Sequence, residues 1–105
     1  MIAGYLFNPV EAHQTDATIS AATTLTRPSG ADVIRLQAFT QALRYTLDST
    51  TPTAATGFRL AANEMIEIPL GAGGTVRVIE ETATGSVQWQ WGKMIPIAGN
   101  RPARS

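Results

Sequence analysis

At 105 residues, with 44% hydrophobic residues and a formal net charge of zero, the chain fits one small domain with a core of its own. Only 15% of residues are charged and there is no basic excess, which argues against nucleic-acid binding as the main task. Cysteine is missing, so disulfides and thiolate metal sites are excluded, and no apolar run reaches the length that crosses a bilayer.

Residues 1–16 are expected to form an extended N-terminal arm. Tyr5, Leu6, Phe7 and Val10 are apolar but follow no clean period, and Pro9 interrupts them. MIAGYLFNPVEAH also lacks the basic start and long apolar centre of a secretory signal, so synthesis in a reducing cytoplasm is expected. Residues 18–26 (TISAATTLT) read as an edge strand, closed by a turn at Arg27, Pro28, Ser29 and Gly30.

Residues 31–60 organise the chain. With a period of two, Ile34, Leu36 and Ala38 share one face, and Val33, Arg35, Gln37 and Phe39 the other. A second alternation points Leu43, Tyr45 and Leu47 inward and Arg44, Thr46 and Asp48 outward. The inward parity changes from even to odd, which demands a turn or bulge near residues 40–42. Leu36, Phe39, Leu43 and Leu47 also fall on a helical stripe, with Ser29 and Asp32 as a weak start signal. The strand reading is preferred because everything that follows reads as short strands and tight turns.

Residues 49–57 form a loop stiffened by Pro52, residues 58–62 a short strand, and Asn63 with Glu64 a turn. In residues 65–70 (MIEIPL), Ile66, Ile68 and Leu70 alternate with Glu67, and Pro69 places the strand at a sheet edge. Residues 71–74 (GAGG) read as a hairpin loop into residues 75–82, and Thr84 with Gly85 as another turn. In residues 86–93 (SVQWQWGK), Val87, Trp89 and Trp91 alternate with Gln88 and Gln90. Turn signals recurring about every 8–12 residues are the spacing of sandwiches and small barrels. The chain therefore reads as all-β: a single antiparallel β-sandwich, immunoglobulin-like or jelly-roll, of about six to eight strands over residues 17–93. Extended arms at residues 1–16 and 94–105 complete it.

No catalytic, metal-binding or cofactor-binding constellation is legible. His13 is the only histidine and falls in the N-terminal arm, where an exposed, idle role is expected. Glu80 and Glu81 are neighbours on a strand and point to opposite faces, so they do not form a carboxylate pair. The glycines of residues 71–74 are followed by no Lys-Ser/Thr pair and open no helix, so they do not form a P-loop. Trp89 and Trp91 share a face; core or interface packing is preferred over an aromatic platform for a ligand. Arg35, Arg44, Arg59 and Arg77 take outward strand positions suited to pairing with Glu67, Glu80 or Glu81 of a neighbour.

Charge is unevenly placed. Residues 1–92 hold 5 Arg against 8 acids, a net −3, while Lys93, Arg101 and Arg104 give residues 93–105 a net +3. Two arms with apolar anchors, Tyr5, Leu6 and Phe7 at one end and Ile95 and Ile97 at the other, are expected to bind neighbouring molecules, with Arg101 and Arg104 adding attraction.

The segment ADVIRLQAFTQALRYTLDSTTPTAATGFRL, followed by a Gly-rich turn, VRVIEETATG and VQWQWGK, resembles small structural proteins from the virion modules of tailed bacteriophages. The likeness covers roughly residues 31–93. Within it, YTLDSTTPT is also similar to a strand-turn of immunoglobulin-like accessory domains in chitin- and hexosamine-cleaving enzymes, which bears on fold alone. The phage resemblance implies a non-enzymatic capsid decoration or cement protein on the virion surface, made in the host bacterial cytoplasm. It implies as partners the major capsid protein and further copies of the same chain, a homo-oligomer on the virion, with no role for nucleic acid or membrane. The alternatives are a head-fibre or tail-associated protein, or a carbohydrate-binding module using Trp89 and Trp91.

Overall fold

The computed structural model describes residues 4–97. It contains nine strands and, among the described residues, no helix, so the stripe of Leu36, Phe39, Leu43 and Leu47 is not a helical face. The strands are β1 (Tyr5–Pro9), β2 (Gln14–Asp16), β3 (Thr23–Thr24), β4 (Val33–Phe39), β5 (Leu43–Thr46), β6 (Phe58–Leu60), β7 (Met65–Pro69), β8 (Arg77–Glu80) and β9 (Ser86–Pro96).

Two antiparallel sheets pack face to face. One runs β1-β9-β4-β7, with β2 also on β9; the other runs β3-β8-β5-β6. β1 and β2 follow one another along the same edge of β9, with Val10 N–H bonded to Trp91 O between them. From Pro9 to Gln14 the chain takes five steps while β9 takes three, from Gly92 to Trp89, so a two-residue bulge divides one edge strand into β1 and β2. Counting that edge strand as one, eight strands pair first with last, second with seventh, third with sixth and fourth with fifth. This is the jelly roll, a long hairpin rolled into a sandwich.

The parity change after Phe39 is the point where the chain leaves the large sheet for the small one. Thr40 makes the corner in the left-handed region (φ 69), and its hydroxyl donates to Thr84 O at 2.9 Å. Residues 71–74, expected as a hairpin loop, instead carry the chain from β7 in the large sheet to β8 in the small one. Glycine is a hairpin signal and a crossing signal alike, because both need backbone freedom. Pro69 does lie on an edge strand, as does β3.

The core lies where β4 and β9 face the small sheet. Ile34 is opposite Trp91, Leu36 opposite Trp89 and Ala38 opposite Val87, and all of these except Trp89 are fully buried. Leu43, Leu60, Val76 and Val78 close the layer from the small sheet, and Ile19 and Leu25 from the chain around β3. Each such aliphatic side chain contributes about 1.5–3 kcal/mol when fully enclosed.

Arg27 ties one end of the sandwich together. Its guanidinium donates to Ala31 O (3.1 Å), Gly71 O (2.5 Å), Gly74 O (3.0 Å) and Gly73 O, so one side chain holds both connections that cross between the sheets there. Its Cζ also lies 5.3 Å from the centre of the Trp91 ring. The Trp91 indole N–H has no partner among the described residues, a cost that the stacked cation helps offset.

The described parts of the two segments expected as arms pair with one another, and residues 98–105 of the second lie outside the described residues. Residues 5–9 pair with residues 92–96, from Tyr5 opposite Pro96 to Pro9 opposite Gly92, so the sandwich extends beyond residues 17–93 at both ends. Phe7 explains the tight fit. Its ring stands 2.6–2.8 Å from where a Cβ on Gly92 would be, so only glycine admits it. Val33, opposite Gly92, is buried although it lies outside the main core cluster, so this face of the large sheet has a small core of its own.

Gly92→Ala is expected to cost about 1–3 kcal/mol by overpacking against Phe7, read by urea denaturation. The same substitution made on a Phe7→Ala background should cost far less, since the clash is gone. An equal cost in both backgrounds means that something other than the Phe7 ring demands the glycine.

Candidate functional site

Beyond Gly92 the edge of β9 loses β4. Asp32 marks the departure: its N–H bonds Gly92 O (2.9 Å), while its Oδ1 accepts from Met94 N–H at 2.7 Å, where another strand residue would otherwise sit. From there β1 and the end of β9 continue as a two-stranded ribbon, and Ile97 N–H bonded to Gly4 O (3.4 Å) carries the pairing to its tip.

Strand alternation sorts the expected anchors onto opposite faces of this ribbon. Tyr5 and Phe7 lie on the outer face and turn back onto the body. The Tyr5 hydroxyl donates to Glu67 Oε2 at 2.5 Å, Arg35 Nε bonds Glu67 Oε1 at 2.7 Å, and Arg35 Cζ stacks 4.1 Å over the Phe7 ring. These two residues therefore fix the ribbon to β4 and β7 within the same chain and are not free to anchor a neighbour. Leu6 and Ile95 pair on the opposite face, followed by Ile97; Leu6 is 60% and Ile97 39% exposed. Arg101 and Arg104 lie outside the described residues.

The edges of the ribbon are poor templates for another strand. Gly4 and Val10 direct their backbone bonds to β9, so alternation leaves Tyr5, Phe7 and Pro9 facing outward, and Pro9 has no N–H. On the opposite edge the Met94 N–H is capped by Asp32, and Pro96 again has none.

The arginines expected to seek a neighbour pair within the chain. Arg35 reaches Glu67, and Arg44 and Arg59 share Glu81 at 2.8 and 3.0 Å. The hydrogen bond from Arg59, and then Arg44, hold the Glu81 carboxyl below its ordinary range. Arg77 bonds Thr51 Oγ1 (2.8 Å) and Ser49 O (3.2 Å) in the β5–β6 loop. Trp91 is fully buried and Trp89 is packed half-buried against the same core, so the pair does not form an exposed aromatic platform. Among the described residues no cluster of three or more His, Asp or Glu side chains is placed to hold a metal ion.

Two concave regions were not expected. An open apolar depression of about 410 Å³ is lined by Thr46, Leu47, Asp48, Thr50, Gly57 and the 62% exposed Phe58. It lies at the ribbon end of the sandwich, because Leu47 O bonds Thr75 N–H beside the Gly74 that Arg27 holds. A narrower cleft of about 190 Å³ crosses the outer face of the large sheet, between His13, Arg35, Gln37, Met65, Gln88 and Gln90. His13 is exposed as expected, but it sits in the β1–β2 bulge, with Nε2 2.9 Å from Gln88 Oε1. The alternation of Gln with Trp in β9 was the signal for this face.

Neither a family model, nor a curated protein, nor a solved structure matches this chain.

The Tyr5–Glu67 contact gives the ribbon a pH signature. Glu67 is held below its ordinary 4.5 by the Tyr5 hydrogen bond and then by Arg35. Tyr5 is pushed from 10.0 up to about 12, chiefly by the bond to Glu67 and then by burial. A lowered carboxyl stabilises the fold above its unfolded pKa and loses that effect as pH falls through the folded one; a raised phenol stabilises below 10.0 and loses it as pH rises. Tyr5→Phe should therefore cost about 0.5–1.5 kcal/mol at neutral pH. In thermal melts, the gap to the parent should narrow below pH 4.5 and again above pH 10.0. A gap that stays constant into acid shows that Glu67 is not the partner that matters.

Proposed function

We propose that this chain is a non-enzymatic virion structural protein of a tailed bacteriophage, a decoration or cement protein that stabilises neighbouring capsid subunits. The observation that carries the reading is the ribbon: a two-stranded projection whose face carries Leu6, Ile95 and Ile97 toward its tip, with Asn8 and Lys93 nearer the body, and of these Leu6 and Ile97 are exposed. The depression around Phe58 lies at the same end of the sandwich, so one end of the molecule concentrates the apolar surface that a neighbour would cover. The resemblance over residues 31–93 supports the virion setting.

The ribbon also changes the energetics of attachment. A disordered arm loses about 1–2 kcal/mol of backbone entropy per residue when it docks. Here β1–β9 pairing and the Tyr5 and Phe7 contacts order the projection on folding, so each enclosed anchor adds affinity with little offset. Leu6 and Ile97 each supply roughly 1.5–3 kcal/mol if fully covered. Many copies on one shell convert modest contacts into a large total.

The test is co-sedimentation of the full chain with empty shells of the major capsid protein from the same phage. The parent should pellet with shells, and the Leu6→Asp, Ile97→Asp double variant should fold normally yet bind at least tenfold more weakly. The proposal falls if the parent ignores the shells or if the double variant binds as tightly; pelleting with isolated tails instead would move the protein to the tail.

A further inference from the structure

We propose that the cleft on the outer face of the large sheet binds one neutral sugar ring. Its floor is the paired backbone of β4 and β9 at Leu36 and Trp89, whose side chains belong to the opposite, inner face. Its walls are amides. Gln37 and Gln88 are directly opposite one another across the β4–β9 pair, and Gln90 follows on the same face opposite Arg35.

The hydrogen-bonding groups that remain define what fits. Gln90 Nε2 donates to Glu11 O (3.1 Å), Gln37 Nε2 reaches Asn63 O at 3.4 Å, and Gln88 Oε1 is engaged by His13. These bonds orient the three side chains. Among the described residues they leave Gln37 Oε1 and Gln90 Oε1 as acceptors and Gln88 Nε2 as a donor, on side chains that line the cleft. Hydroxyl groups, which both donate and accept, satisfy such a mixed set; a carboxylate or phosphate, which only accepts, does not.

Charge gives the same answer. Arg35 is the cation on the rim, and Glu67 neutralises it at 2.7 Å. An anion would have to compete with that carboxylate, whereas a neutral ligand need not. Met65, 58% exposed, lining the cleft and opposite Gln37, supplies the apolar edge that the C–H face of a sugar ring packs against. The volume of about 190 Å³ lies below the roughly 300–1,000 Å³ of drug-sized sites, which limits the ligand to about one ring. The cleft is open on a flat sheet, so the ring can be a free sugar or one unit of a glycan chain.

This inference is independent of the virion reading, because the cleft and the apolar face of the ribbon share no residue. The test is a two-dimensional amide NMR titration of the full-length protein with glucose, galactose, mannose and N-acetylglucosamine, each also as a linear tetrasaccharide, with glucuronate and glycerol as controls. At least one neutral sugar should give saturable shifts at His13, Gln37, Met65, Gln88 and Gln90, half-saturating roughly in the millimolar range. Tighter binding of the tetrasaccharide identifies a glycan chain as the source, and equal binding a single free ring. Gln88→Ala and Met65→Glu should each weaken binding at least fivefold, while Leu6→Asp leaves it unchanged. The proposal is overturned if no neutral sugar saturates, if shifts fall elsewhere, or if glycerol or glucuronate matches the best sugar.

Discussion

The apolar ladder between β4 and β9 is the contact on which the rest of the molecule depends. Ile34 against Trp91, Leu36 against Trp89 and Ala38 against Val87 join strands more than 45 residues apart, and every other strand of the large sheet attaches to one of these two. Closing a loop of that length costs entropy before any contact returns it. The jelly-roll order makes the cost general, since first pairs with last, second with seventh and third with sixth. Stability in such a chain comes late in folding and all together. That suits a fold with no cross-links and a core built mainly of Leu, Ile and Val around one large ring, Trp91.

The faces of individual strands were legible in the sequence, because alternation is a local property. Ile34, Leu36 and Ala38 are buried and Arg35 and Phe39 exposed, as period two requires, but Val33 and Thr46, both expected outward, are buried too. The parity change near Thr40 was legible too, though only as a break; that it moves the chain to the other sheet depends on where distant strands lie. What sequence could not display was pairing across the whole chain. Tyr5 to Val10 has no period because its partners are remote: Phe7 fills the space over Gly92 and Tyr5 reaches Glu67. A segment shaped by such contacts looks featureless when read alone. The same holds for Arg27, which reads as part of a turn and serves as the clamp on two sheet crossings.

The candidate surfaces divide along the same line. Trp89 and Trp91 drew notice as large rings, and their burial follows from sharing a face with Val87. Gln88 and Gln90 were noted only as the residues that alternate with them, although alternation necessarily places these two together on the opposite face. Their convergence with Gln37, Met65 and His13 required the register of β4, β7 and the β1–β2 bulge. Charge was read correctly in sign and wrongly in destination: with Arg35, Arg44 and Arg59 satisfied inside the chain, the body offers few unpaired cations outward.

The ribbon has a mechanical meaning. Gly4 and Ile97 are hydrogen-bonded neighbours at its tip, on antiparallel strands. Tension that pulls these two points apart opens the pairing one rung at a time, as a zip opens, and meets little resistance. Tension along the ribbon, applied through Leu6 and Ile97 together, instead runs down both strands and passes into β4 through its pairing with β9 and the stacked Arg35 and Phe7. A molecule gripped by the side of its ribbon is strong along the ribbon and weak when peeled from its ends.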